Sequence, residues 1–217
     1  MALTLQLPER FNVAEHFILP RLETGQGDRP YLLCGEAVLT VAALHERASR
    51  AAQMLHRLGL RRGQRVALLL RESLDFPVCF WGAVRAGVVP VPLNPALTGA
   101  DYRFYLGDSR ARALIVEAAL LPVVDPVLEG LRDLRHVIVS GAAPPGRLAL
   151  AELLTEAPPR FAVRRAAPDA PAFWLYTSGS TGVPKAAVHR QRDMVYVAET
   201  YLRHVLRLRP TDVSFSA

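Results

Sequence analysis

The sequence predicts an α/β fold with a parallel-rich sheet flanked by helices, and three observations predict it. "RVALLL" at 65–70 is a continuous apolar run without alternation, the pattern of a strand buried on both faces. "ALIVE" at 113–117 and "HVIVS" at 136–140 read as further strands. Segments of helical period lie between these runs, and strand, helix, strand at this rhythm is the signature of parallel βαβ units.

Taken in order, Asn12 is placed to cap a helix over "VAEHFILPRL", which Pro20 is expected to disturb. "YLLCGEAVLT" reads as two short strands turning at Cys34–Gly35–Glu36. Thr40 caps the next helix, whose apolar stripe is Val41, Leu44, Ala48, Ala51, Leu55 and Leu58, and Gly59 stops it. After the strand at 65–70, Ser73 is expected to cap a helix that tolerates Pro77 in its first turn and ends at Gly87. "VVPVPLNP" is a strand running into a proline-stiffened loop. Thr98 with Asp101 starts a helix through "DYRFYLGD", and "LLPVVDPVLEGL" and "RLALAELLTE" are expected to be helices on either side of the strand at 136–140. The alternating region thus covers 1–155. Residues 156–171, with four prolines and no periodicity, form a connecting loop with room for one short strand. Residues 172–217 hold a hairpin, the helix "RQRDMVYVAETYLRHVLRL" and "VSFSA", which reads as the first residues of a strand and predicts a chain that continues.

Of the 217 residues, 51% are apolar, enough for a real core. The balance of 26 basic to 20 acidic residues gives +6, and all but one of the basic residues are arginine. These arginines are scattered and not interleaved with aromatics, which argues against a nucleic-acid face. Cys34 and Cys79 match no zinc or redox spacing and read as buried free thiols in a reducing compartment. The N-terminus lacks the pattern of a signal peptide and no apolar stretch approaches a membrane span, so the expected location is the cytoplasm. The six histidines show no ligand spacing, and no metal site is expected in this chain.

The chemistry concentrates in "FWLYTSGSTGVPKAAVH", residues 173–189. A buried-type strand breaks off into Thr177, Ser178, Gly179, Ser180, Thr181 and Gly182, and β character resumes at Lys185, the only lysine. The glycines bring backbone amides close to a ligand, and successive amides form a nest for phosphate oxygens. Four hydroxyls and a compact ammonium suit the same oxygens. A glycine–serine linker shares this composition, but this stretch is short and flanked by two buried-type segments. The spacing is neither that of the common P-loop nor of the dinucleotide fingerprint. His189 reads as structural, or as the entry to the following helix, and Trp81 and Trp174 read as core.

"YTSGSTGVPKAAVH" closely resembles the signature loop of the adenylate-forming enzymes, which include acyl- and aryl-CoA ligases, peptide-synthetase adenylation domains and luciferases. "GLRRGQRVALLL" and "FWGAVRAGVVPVPLNPALTGADYRFYLGDSRARALIV" look like that family's N-terminal domain, and "VHRQRDMVYVAETYLRHVLRLRPTDVSFSA" looks most like its benzoate-CoA ligase branch. The resemblance implies an incomplete N-terminal AMP-binding domain, 1–217, of a ligase that activates a carboxylate, aromatic ones favoured, with ATP and Mg²⁺ as acyl-AMP and transfers it to coenzyme A. It implies that Thr177, Ser178, Gly179, Ser180, Thr181, Gly182 and Lys185 line a cradle for the β- and γ-phosphates. The family's adenine, ribose, magnesium and most acid-binding groups, and its C-terminal lysine, would lie downstream of residue 217. No catalytic set is therefore complete in this chain. The 217 residues alone are expected to make no thioester, and a C-terminal part of the enzyme is a possible partner. Ala186 stands where the family usually has glycine. The alternative reading is a non-catalytic ATP- or pyrophosphate-binding remnant or interaction module.

Overall fold

The structure is a computed structural model and describes residues 5–177 and 183–215. Its centre is a five-stranded parallel sheet. The chain enters through helix α1 (Val13–Glu23) and a hairpin of β1 (Pro30–Cys34) and β2 (Ala37–Thr40), then helix α2 (Val41–Arg57). Strand β3 (Arg65–Leu69), helix α3 (Asp75–Ala86), β4 (Val89–Pro92), helix α4 (Gly99–Asp108), β5 (Ala113–Glu117), the single turn α5 (Leu121–Val124) and β6 (His136–Ser140) follow. Strand β7 (Leu148–Ala149) and helix α6 (Leu150–Glu156) complete the unit, with sheet order β4-β3-β5-β6-β7.

The unbroken apolar runs follow from this layering. Val66, Leu68, Ala113, Ile115 and Ile138 face one core with α1, α2, α3 and α6, while Ala67, Leu69, Leu114, Val116 and Val139 face a second core with α4. Both faces are covered, so alternation has nothing to encode.

Local chemistry sets most boundaries where the sequence places them. Asn12 caps α1 through its Oδ1, which accepts from the amides of Ala14 and Glu15. Thr40 caps α2, and Thr98 and Asp101 form a reciprocal capping box on α4. Gly87 closes α3 at φ +70°, the left-handed conformation that favours glycine.

Six local expectations are corrected. Pro20 does not break α1, because it falls in the last turn and its carbonyl is taken up by the amide and hydroxyl of Thr24. Ser73 does not cap α3. The cap position is Leu74, and the third helical residue is Pro77, which has no N–H for a cap to satisfy. Asp75 instead accepts from Arg47 at 2.8 Å and Ser140 at 2.7 Å, tying α3 to α2 and β6. The segment 120–131 is not one helix: Pro122 and Pro126 break it into α5 between two 3₁₀ turns. Leu148 and Ala149 pair with β6 before α6 begins, which shortens the expected helix. Residues 213–215 are not a strand, and Val213 and Phe215 are 84% and 92% exposed. No strand lies beside them among the described residues, and a strand forms only by pairing. Cys79 is buried as expected, and its thiol is pushed up by burial, whereas Cys34 is only half-buried.

Helices α2 and α3 approach each other closely where Gly82 meets Ala48, Ala51 and Ala52. A Cβ added at Gly82 would lie 2.5 Å from the Ala51 Cβ and 3.0 Å from the Ala48 carbonyl oxygen. Gly107 on α4 has only Leu131 near it, at 3.8 Å. Gly82→Val is therefore expected to destabilise by about 2–3 kcal/mol in urea unfolding, from overpacking. Gly107→Ala is expected to stabilise by about 0.5–1 kcal/mol, from helix propensity.

Candidate functional site

After the connecting loop, whose Ala166 bridges back to Phe11, the chain builds a separate two-stranded antiparallel sheet. Strand β8 (Pro171–Thr177) pairs with β9 (Lys185–Arg190), and helix α7 (Gln191–Val197) follows, passing into a π-helical segment at Ala198–Val205. The apolar strand, turn-forming stretch and resumed β character predict this hairpin. Register places Thr177 opposite Lys185, Leu175 opposite Ala187 and Phe173 opposite His189. Opposed residues share a face, so these six line one side of the hairpin. Trp174, Tyr176, Ala186 and Val188 line the other.

Of the seven residues expected to hold phosphate, the structure describes Thr177 and Lys185. Ser178, Gly179, Ser180, Thr181 and Gly182 lie outside the described residues. Thr177 and Lys185 face each other at the loop's two ends, with the Thr177 hydroxyl donating to the Lys185 carbonyl at 3.4 Å. Lys185 is exposed and has no ion pair among the described residues. Ala186 sits in the regular ladder opposite Tyr176, and the only described non-glycine residues with positive φ are Arg110 and Arg207. Alanine at this position carries no backbone strain.

Side chains that the sequence reading passed over fix the hairpin in place. The Tyr176 hydroxyl donates to Asp108 at the end of α4 at 2.6 Å, and its ring lies 4.4 Å from that of Tyr105. The Arg65 guanidinium stands 5.5 Å over the Trp174 ring. At the hairpin's base, Gln191 is 3% exposed; its amide donates to the Ala170 carbonyl, and its Oε1 accepts from the Val13 amide at 2.8 Å. Arg190 adds a charged brace to Asp169 and Asp193. Alternation flags Tyr176 as a strand residue, but no local signal announces a partner 68 positions away. His189 stacks flat on Phe173, with ring centroids 4.4 Å apart and planes 1° from parallel. Trp81 is buried and donates to the Tyr31 hydroxyl, and Trp174 is half-buried.

Two cavities flank the hairpin. One, of about 890 Å³, opens over the carboxyl ends of β3 and β4 and is lined by Ser73, Phe76, Asn94, Leu175 and Tyr176 among others. The second, of about 670 Å³, lies between the hairpin, α1 and α7. Among the described residues, no three His, Cys, Asp or Glu side chains cluster to hold a metal ion. No helix among them is long and apolar enough to cross a membrane.

Burial, then the bond to Asp108, raises the Tyr176 hydroxyl well above the usual tyrosine range. The folded state keeps this proton while the unfolded state loses it near pH 10. The contribution is therefore complete below about pH 10 and is lost as pH rises further. Tyr176→Phe is expected to lower stability near neutral pH by about 1–2 kcal/mol. It should also flatten the fall in stability above pH 10, measured by urea unfolding across pH.

Comparison with known proteins agrees with this architecture. The profile of the family described as "AMP-binding enzyme" matches residues 21–217. Benzoate–CoA ligase of Thauera aromatica is 39% identical over 214 residues, covering 98% of this chain and 40% of that protein. The 4-hydroxybenzoate–CoA/benzoate–CoA ligase of Rhodopseudomonas palustris is 37% identical over 207 residues, 95% of this chain and 38% of that protein. Among solved structures, the anthranilate CoA ligase AuaEII in complex with anthranoyl-AMP superposes with a TM-score of 0.90 at 29% identity, over 95% of this chain and 40% of that one. A benzoate CoA ligase from Burkholderia xenovorans LB400 gives 0.81 at 34% identity, over 91% and 38%. The chain spans about 40% of the length of the curated relatives it matches. With a family match reaching from residue 21 to residue 217, the chain belongs to the AMP-binding enzymes.

Proposed function

We propose that this chain is the N-terminal part of an ATP-dependent aryl-CoA ligase, and that residues 177–185 hold the pyrophosphate end of ATP. The observation that carries the reading is the hairpin register, which sets Lys185, exposed and without an ion pair among the described residues, directly across from Thr177 at the mouth of the glycine–hydroxyl stretch. Its kinship with benzoate–CoA ligases supports an aromatic carboxylate as substrate.

In the proposed reaction, a carboxylate oxygen attacks the α-phosphorus of ATP and the bond to pyrophosphate breaks, leaving acyl-AMP. The sulfur of coenzyme A then attacks the acyl carbon, AMP departs, and a thioester remains. This chain's part is electrostatic. Charge grows on the departing pyrophosphate, and donors fixed in advance at that place lower the barrier. Thr177, Ser178, Gly179, Ser180, Thr181 and Gly182 supply hydroxyl and amide donors, and Lys185 supplies the positive charge. Tyr176 and Gln191 hold the hairpin that presents them. The described residues form no cluster able to cage Mg²⁺, and no step is assigned to the ion. We read 1–155 as the alternating unit, 156–171 as its connector and 172–217 as the phosphate-holding unit. The remaining acid-, adenine- and CoA-binding groups come from the further chain that the longer relatives carry.

Calorimetric titration of the 217-residue protein with pyrophosphate tests the reading. The parent is expected to bind, and Lys185→Ala to bind at least tenfold more weakly, about 1.4 kcal/mol or more. Equal affinity in the two proteins would overturn it.

A further inference from the structure

The strands of a parallel sheet all begin on one edge, so residues that precede them meet there however far apart they lie in the chain. In this sheet those residues are arginines. Arg61, Arg62 and Arg65 lead into or open β3, Arg110 and Arg112 precede β5, and Arg135 precedes β6. Arg164 joins them, since its Cβ and the Arg62 side chain both flank Gly87, just before β4. The amide of Arg112 donates to the Arg65 carbonyl at 2.8 Å, and that of Arg135 to the Arg112 carbonyl at 2.9 Å, which fixes the order of the row. Four strand starts span about 14 Å at the ~4.8 Å strand spacing. This edge is opposite the carboxyl ends of β3 and β4, over which the first cavity opens.

Two of these side chains are committed. Arg65 donates to the carbonyls of Ser109, Gly63 and Arg110, and Arg112 pairs with Asp133. The guanidiniums of Arg61, Arg62, Arg110, Arg135 and Arg164 are exposed and make no hydrogen bond or ion pair among the described residues. The carboxylates in the same stretches are engaged, Asp133 by Arg112 and Asp108 by Tyr176. Arg110 also stands where glycine is usual. It follows the last turn of α4 at φ +49°, with the Ala111 amide donating back to the Leu106 carbonyl at 3.3 Å, a Schellman arrangement. Conformational ease is given up there while a free positive charge is kept.

We infer that this arginine edge is a docking surface for an acidic, Asp/Glu-rich segment of a partner protein. Guanidinium forks match carboxylates in pairs. Single-stranded nucleic acid is disfavoured, because the nearby rings of Trp174 and Phe161 are covered by Arg65 and Arg164 and offer no free face for a base. An anionic membrane is disfavoured as well, because none of the exposed large apolar side chains lies in 61–65, 110–112, 132–136 or 162–165 to enter it. The inference is independent of the phosphate reading, which concerns the hairpin tip.

Fluorescence anisotropy with labelled decaglutamate at low ionic strength tests it, with decathymidylate and vesicles of phosphatidylserine and phosphatidylcholine as rival probes. The triple variant Arg61→Gln, Arg110→Gly, Arg135→Gln is expected to bind decaglutamate about tenfold more weakly than the parent. A control triple with the same loss of charge, Arg10→Gln, Arg21→Gln, Arg209→Gln, all exposed, should change it by no more than about twofold. Arg110→Gly alone should weaken binding about two- to threefold while raising the melting temperature, so that lost affinity is not lost folding. Equal losses in the two triples, full affinity in Arg110→Gly, or tighter binding of decathymidylate or of the vesicles than of decaglutamate would each overturn the assignment.

Discussion

Gln191 joins the two ends of the described chain. Its buried side chain accepts the first amide of α1, 178 residues away, and its own amide closes the base of the β8–β9 hairpin on Ala170. Asn12, one residue before that amide, caps α1 with its oxygen and donates its Nδ2 to the carbonyls of Val84 and Arg164. The start of the chain, the end of α3, the connecting loop and the hairpin therefore meet at one buried polar junction. Each group there would cost about 1–3 kcal/mol if left unpaired. That penalty holds the hairpin at a fixed place, although it belongs to a different sheet from the core strands.

From this junction outward the hairpin acts as an arm. The base is buried and braced by Arg190 between Asp169 and Asp193. Midway, Phe173 and His189 stack on one face while Trp174 and Tyr176 fasten the other to β3 and α4. At the tip, Lys185 is exposed and unpaired among the described residues. Rigidity is invested where geometry must be kept, and charge is left free where a ligand can meet it. Anion-binding donors gain most from such preorganisation, because little ordering remains to be done when the ligand arrives.

Much of this was legible in the sequence. The unbroken run at 65–70 encodes a strand covered on both sides, and Thr98 with Asp101 encodes a helix start, because burial and capping act through neighbouring residues. The glycine–hydroxyl stretch with Lys185 marked the hairpin tip for the same reason. The exceptions had local reasons of their own. Helix α3 starts one residue later than a Ser73 cap would set, with Leu74 at the cap position and Pro77, which has no amide, third in the helix, and Pro122 and Pro126 overrode an apolar pattern that suited a helix. The ties from Tyr176 to Asp108 and from Gln191 to Val13 were not legible. They are long-range contacts between residues whose types are common at strand and helix ends. The second cavity escaped for a similar reason: Arg21, Arg29 and Arg209, which line it, are scattered in the chain and converge only in the fold.

The central claim is that the hairpin tip grips phosphate. Amide-resolved NMR of the 217-residue protein during addition of pyrophosphate tests it most directly. The account predicts shift changes concentrated between Thr177 and Lys185, fading towards Gln191. Saturable binding with those amides unmoved, and the changes centred elsewhere on the molecule, would contradict it.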